Sequence, residues 1–146
     1  MRITTRGRYG LRIMLELALR DGDGTGPVQA ATVAQSQDLP MKYVQALAGS
    51  LKSAGLLRAV RGHAGGLLLA RSPGAITALD VVRALEGPVA LLDCALDPSA
   101  CRHAERCVAR DLWCELGEAM EQVLGRHTLA ELAERQRTWP ESGYAI

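Results

Sequence analysis

The sequence predicts a mainly α-helical fold that carries one two-stranded β-hairpin, and three observations predict it. Apolar residues recur at three- and four-residue spacing through successive stretches of the chain, the signature of helices that bury one face. Hydrophobic residues make up 48% of the 146 positions but aromatics only 3%, with no Phe. The core is therefore built from Leu, Val, Ala and Met, a composition that favours helices over a β-sandwich. One glycine-rich turn, Arg61-Gly-His-Ala-Gly-Gly66, separates two short apolar runs and reads as the hairpin. The length suits one compact domain with a protruding element.

A first helix is expected from about Thr4 to Arg20. Tyr9, Ile13 and Leu17 line its inner face, flanked by Leu11, Met14, Leu15 and Ala18. Arg6, Arg8 and Arg12 take the wet side, and Thr4 or Thr5 caps the start. The turn formers from Asp21 to Pro27 break it. Ala30–Gln37 makes a short helix, Asp38-Leu39-Pro40 a tight connection, and Pro40 to Ala54 a second helix with Pro40 in its first turn. Met41, Val44, Leu47 and Leu51 keep to one face of that helix. Lys42, Tyr43, Gln45 and Ala46 lie on or beside the other, and Gly55 supplies the C-cap.

Two helices joined by a three-residue turn form a helix-turn-helix, whose second member is the recognition helix. Strands at Leu56–Val60 and Leu67–Ala70 follow directly. A hairpin in that position makes the unit a winged helix-turn-helix. Arg58 and Arg61 then put guanidinium groups on the wing, within reach of phosphate or a narrow minor groove. A solvated loop arginine is the plain alternative for Arg61. His63 is a loop residue or a DNA contact.

Thr77 caps a helix running to about Glu86, with Leu79, Val82 and Leu85 inward, and Gly87-Pro88 stops it. Cys94, Cys101 and Cys107 come next, in a stretch with Pro98 and no apolar periodicity. From about Glu105 to Gly125 the pattern is again helical. Val108, Leu112, Leu116, Met120 and Val123 form a stripe that Trp113 and Leu124 widen, with Glu115, Glu118 and Glu121 on the other side. A long amphipathic helix outside the winged domain needs a partner, most cheaply the same helix of a second subunit, so a homodimer is expected. Thr128 caps a last helix from Leu129 to about Arg137, and the tail from Trp139 onward reads as loosely attached. The division expected is a winged DNA-binding domain over residues 1–87, a cysteine-rich loop over 88–107, and a dimerisation helix with C-terminal segment over 108–146.

Charge sharpens the partner. The net charge is +1, yet residues 1–71 hold ten basic and four acidic residues while 72–146 hold seven and twelve. A basic front half joined to an acidic back half is expected when one end alone meets phosphate. No signal peptide or membrane span is expected, because arginines interrupt the first residues and no apolar run nears about 18 residues. The expected location is cytoplasmic. In that reducing compartment clustered cysteines read as metal ligands or redox groups. An enzyme is not expected: the chain has no Cys-x-x-Cys, and only His63, His103 and His127 could serve as imidazole bases.

At this point particular segments resemble the redox-response-factor (Rrf2) family of bacterial winged-helix transcriptional regulators, over nearly the whole chain. The segments are Met1-Arg-Ile-Thr-Thr-Arg-Gly-Arg-Tyr9, Leu39-Pro-Met-Lys-Tyr43 with Leu47, Leu51 and Ala54-Gly-Leu56, and Arg61-Gly62 with Gly65-Gly66 and Leu69-Ala70. The three cysteines followed by Leu112-Trp113 resemble the cluster-binding members. The resemblance implies a homodimer on palindromic operator DNA, contacted by Lys42, Tyr43, Gln45, Arg58 and Arg61, with Arg2 and Arg6 near the backbone. It also implies an iron–sulfur cluster on Cys94, Cys101 and Cys107, responding to nitric oxide, oxidants or iron–sulfur status. Soft thiolates suit that chemistry, as either a 2Fe–2S or a 4Fe–4S centre. Cluster-binding members carry a histidine three residues after the last cysteine, where this chain has Arg110; others use an amino-terminal carboxylate, and the matching region holds Arg8. Asp111, His103 and Cys114 remain as fourth-ligand candidates. Structural zinc with His103, or direct thiol oxidation, is the alternative role for the cysteines.

Overall fold

The structure is a computed structural model, which describes residues 2–140. Its elements in chain order are α1 (Thr5–Asp21), α2 (Ala30–Gln37), α3 (Met41–Ser53), β1 (Leu57–Val60), β2 (Gly66–Leu69), α4 (Ala78–Glu86), α5 (Asp93–Leu96), α6 (Val108–Arg126) and α7 (Leu129–Thr138). This is a winged helix-turn-helix with a two-stranded antiparallel wing, extended by the long helix α6.

The winged unit closes around Ile13 and Met14 of α1, Val33 of α2, Val44, Leu47 and Leu51 of α3, and Ile76 and Val81, all fully buried. Thr4 starts α1, its hydroxyl accepting from the Arg6 N–H. Glu16 on the inner side of α1 is only 7% exposed. Its carboxylate is satisfied by Arg20 at 3.0 Å, by the Ser36 hydroxyl, and by the Gln37 amide at 2.7 Å. A charge that would be costly to bury alone thus becomes a tie between α1 and the end of α2.

Between α2 and α3 the chain turns through Asp38, which adopts φ 53°, a left-handed conformation that Asp tolerates. Pro40 is the N-cap of α3, one residue before the expected helical position, because its ψ of 137° is extended. Gly55, at φ 72°, follows the C-cap Ala54 and turns the chain into β1. In the wing, Leu57 pairs with Leu69 and Val60 with Gly66. A rung absent from the sequence reading joins it: Val28 N–H donates to the Leu67 carbonyl at 2.9 Å, and Leu67 N–H returns to Val28 at 2.7 Å. Gly66 makes that approach possible. Its φ is 157°, and a Cβ there would stand 2.5 Å from the Val28 carbonyl.

Thr77 and Asp80 form a reciprocal capping box at the start of α4. At the other end, one Glu86 carboxylate oxygen accepts from Thr4 N–H at 2.9 Å, Thr4 hydroxyl at 2.6 Å and Gly7 N–H at 2.9 Å. Partial burial opposes its ionisation, but these bonds and the nearby Arg6 outweigh it and hold the carboxyl below its usual value.

The last helix folds back. Leu129 and Ala133 of α7 enter the winged core, and Thr77 and Thr128 form an isolated β-bridge. Leu129 N–H donates to Ile76 at 2.9 Å and Ala78 N–H to His127 at 2.8 Å. The C-terminal segment grouped by sequence with α6 therefore packs with residues 1–87. The cysteine stretch is not a plain loop: α5 and two 3₁₀ turns, Pro98–Ala100 and Ala104–Arg106, organise it. The expected loose tail lies mostly outside the described residues; Trp139, within them, is exposed. Among the described residues no helix is long and apolar enough to cross a membrane.

Candidate nucleic-acid interface and cysteine segment

Burying Val44, Leu47, Ala48 and Leu51 leaves the opposite face of α3 in solvent, with Lys42 and Gln45 exposed near its amino terminus. Arg6 of α1 reaches this helix, its guanidinium donating to Ser50 Oγ at 3.1 Å. Arg2 is exposed just ahead of α1. Arg58 stands on β1 opposite Leu68, and Arg61 begins the wing turn, both exposed. Arg2, Arg6, Lys42, Arg58 and Arg61 therefore face solvent, and none lies within ion-pair distance of a carboxylate among the described residues, although Arg6 stands near enough to Glu86 to favour its ionisation.

Tyr43 differs from the expectation. Its ring packs edge-on against Tyr9 at 6.3 Å and 87°, and its hydroxyl is buried with no hydrogen-bond partner among the described residues. The position lies one turn before buried Leu47, about 40° away on the helical wheel, so the ring follows the core rather than Lys42. Tyr9 in turn carries Arg8 at 4.7 Å and Arg12 at 5.4 Å from its ring centroid, a cation–π arrangement that fixes two more guanidinium groups beside the helix-turn-helix. The sequence had placed these two arginines only on a wet face; the Arg-x-x-x-Arg spacing around Tyr9 was the available signal.

Cys94, Cys101, Cys107 and Cys114 are free thiols, each half-buried. Cys94 lies in α5, Cys101 follows the first 3₁₀ turn, and Cys107 is the N-cap of α6, its sulfur accepting from Arg110 N–H at 3.4 Å. Arg110 also donates from Nε to the Cys94 carbonyl at 2.8 Å, pinning α5 onto α6. His103 and Asp111 are exposed. The donor set has the right chemistry for a soft metal centre, but its arrangement does not supply a site. Among the described residues no three His, Cys, Asp or Glu side chains come close enough to hold one ion. Neither His103, Asp111 nor Cys114 is brought to the other cysteines as a fourth ligand.

Beyond this segment α6 presents Val108, Leu112, Leu116 and Val123 to solvent, Val108 at 82% exposure. Leu116 and Val123, with Ile3, Met120 and Leu124, border an apolar groove of about 390 Å³. Such an uncovered stripe is unusual for a monomer surface.

A recognition helix flanked by free cations, a wing, and an uncovered long helix define a DNA-binding protein of the winged-helix regulator class. The chain belongs to the Rrf2 family of transcriptional regulators: the family model, described as "Iron-dependent Transcriptional regulator", matches residues 3–135. It is 40% identical to the HTH-type transcriptional regulator CymR of Bacillus subtilis, over 91% of this chain and 90% of that protein. It is 34% identical to the regulator IscR of Klebsiella pneumoniae, over 98% and 86%. The solved structure of B. subtilis CymR, described as the global cysteine regulator of that organism, superposes with a TM-score of 0.75 at 39% identity, covering 92% of this chain and 97% of CymR. IscR of T. potens gives 0.77 at 31% identity, covering 99% and 95%.

Proposed function

We propose that this transcriptional regulator is a homodimer that reads a palindromic operator with α3 and the wing, and takes its signal at the cysteine segment. The observation that carries the reading is the Arg6–Ser50 contact, which joins the basic start of α1 to the exposed flank of the recognition helix. Lys42 and Gln45 address base edges near the helix start, and Arg58 and Arg61 address the backbone or minor groove from the wing. Arg2 and Arg6 neutralise phosphate. The exposed stripe of α6 takes the second subunit, which sets two recognition helices one half-site apart. Arg61→Ala is expected to weaken operator binding about tenfold or more and lower the salt slope by about one. Fluorescence anisotropy at matched salt checks it; unchanged affinity removes the wing from the interface.

For the signal, an iron–sulfur cluster on Cys94, Cys101 and Cys107 is the reading that the donor chemistry and the kinship with IscR support; when bound it would supply a centre sensitive to oxidants or nitric oxide. A second reading is favoured by a specific observation: no three donors converge, and Arg110 already holds the segment through the Cys94 carbonyl. There the thiols respond directly, by oxidation; zinc held with His103 is the other alternative, but it needs the same convergence of donors as the cluster. Anaerobic purification followed by iron and sulfide analysis separates the two. Stoichiometric iron and sulfide lost in Cys101→Ala supports the cluster. A colourless protein after reconstitution supports the thiol or zinc route, and leaves the DNA-binding proposal standing.

A further inference from the structure

The face of α6 turned away from the exposed stripe is crossed by residues 88–96, and a cleft of about 390 Å³ lies between them. That volume falls within the range of about 300–1,000 Å³ typical of small-molecule sites. Gly117 is buried beneath the crossing, with the Val89 carbonyl at ordinary contact distance, 3.5 Å, from where a Cβ would stand. Val89, Ala95, Leu96 and Trp113 give the cleft apolar walls.

Its charges are arranged at two ends. Arg110 lines one end; its Nε is committed to the Cys94 carbonyl, which fixes the guanidinium plane, while its terminal nitrogens take no acceptor among the described residues. Glu118 lines the other end, two helical turns on and about 12 Å along the axis, and has no cation partner among the described residues. Glu121, also in the lining, is neutralised by Arg83 at 2.6 Å. One uncommitted cation and one uncommitted carboxylate, separated by apolar walls, complement a molecule that carries both signs.

We infer that this cleft binds a small zwitterion of dipeptide size, its carboxylate on Arg110 and its ammonium on Glu118, since a hydrogen bond of about 3 Å at each end leaves about 6 Å between the ligand's own charges. Trp113 reports occupancy once the exposed Trp139 is replaced, so the protein carrying Trp139→Phe is titrated with the dipeptides glycylglycine, L-alanylglycine and L-alanyl-L-alanine. Propionate and ethylamine, each bearing one of the two charges, are the controls. At least one zwitterion is expected to give a saturable change in Trp113 emission, with affinity at least tenfold above either control. Glu118→Gln, at an exposed side chain with no internal bond, should lower that affinity about tenfold without moving Tm. Ala95→Leu, which fills the cleft, should abolish binding. No saturation with any of the three zwitterions, equal affinity for the single-charge controls, or indifference to both Glu118→Gln and Ala95→Leu overturns the inference. The titration contains no DNA, so its outcome is independent of the regulator reading.

Discussion

Leu129 is fully buried, whereas Leu116 on the preceding helix is 44% exposed, although both sit on amphipathic helices of similar composition. The first belongs to the winged core, where α1, α3, α4 and α7 close on one another and every inward side chain has a neighbour. The second belongs to α6, which leaves that core and returns to it through the Thr77–Thr128 bridge. The winged core keeps its apolar surface for itself; α6 offers its own outward. The basic surface of the winged unit and the uncovered stripe of α6 are thus separated along the chain, and the Arg83–Glu121 ion pair is a direct tie between α4 and α6.

The contrast breaks most sharply in a pair of leucine truncations. Leu47→Ala in the core should cost about 2–5 kcal/mol and lower Tm correspondingly, whereas Leu116→Ala should leave the folding of an isolated subunit within about 0.5 kcal/mol. Denaturant melts at low protein concentration check both. If Leu116→Ala is equally destabilising there, α6 is core and not interface.

Introducing charge into the exposed stripe tests the same face from the other side. Leu116→Asp with Val123→Asp should raise the dimer dissociation constant about 100-fold or more, seen by sedimentation, and weaken operator binding while leaving the far-ultraviolet circular dichroism intact. A dimer that survives both aspartates would move the interface elsewhere.

A smaller effect is expected at Gly66, inside the winged half. Alanine there meets the Val28 backbone at a φ few L-residues adopt, a strain of about 1–3 kcal/mol. Amide exchange should then quicken at Val28 and Leu67, which exchange hydrogen bonds across this point, before it quickens in α3.

How much of this was legible in the sequence follows the range of the interactions. The Thr77 cap, the glycine turn of the wing and the periodic faces of α1, α3, α4 and α6 are local patterns, and the structure keeps them, with element ends within about three residues. The start of α6 moved from Glu105 to Val108 because Cys107 takes the extended N-cap conformation. What the pattern did not carry were contacts between distant segments: Val28 beside Leu67, Leu129 inside the winged core, Glu86 on the start of α1. Tyr43 was read on or beside the wet face, but it lies one turn before buried Leu47, and its ring packs edge-on against Tyr9. The cysteines were conspicuous as a cluster in sequence, but spacing alone does not bring three sulfurs together in space.

Glu86 provides the smallest and most local test of how the two regions are joined, since it closes the start of α1 and immediately precedes Gly87, where the chain leaves for the cysteine segment. Its carboxyl is held below its ordinary value near 4.5, so the folded state binds this proton less readily than the unfolded chain does. The stabilisation is therefore complete above that ordinary value and is lost as pH falls through the lower folded one. Glu86→Gln keeps an acceptor for Thr4 and Gly7 but not the charge, so it should cost less than about 1 kcal/mol at neutral pH. Its melting temperature should approach that of the unaltered protein as pH falls through the lower folded value, where the unaltered carboxylate is also neutralised. A Tm gap that stays constant from neutral to acid pH would mean that packing, not charge, makes Glu86 the clasp between α4 and α1.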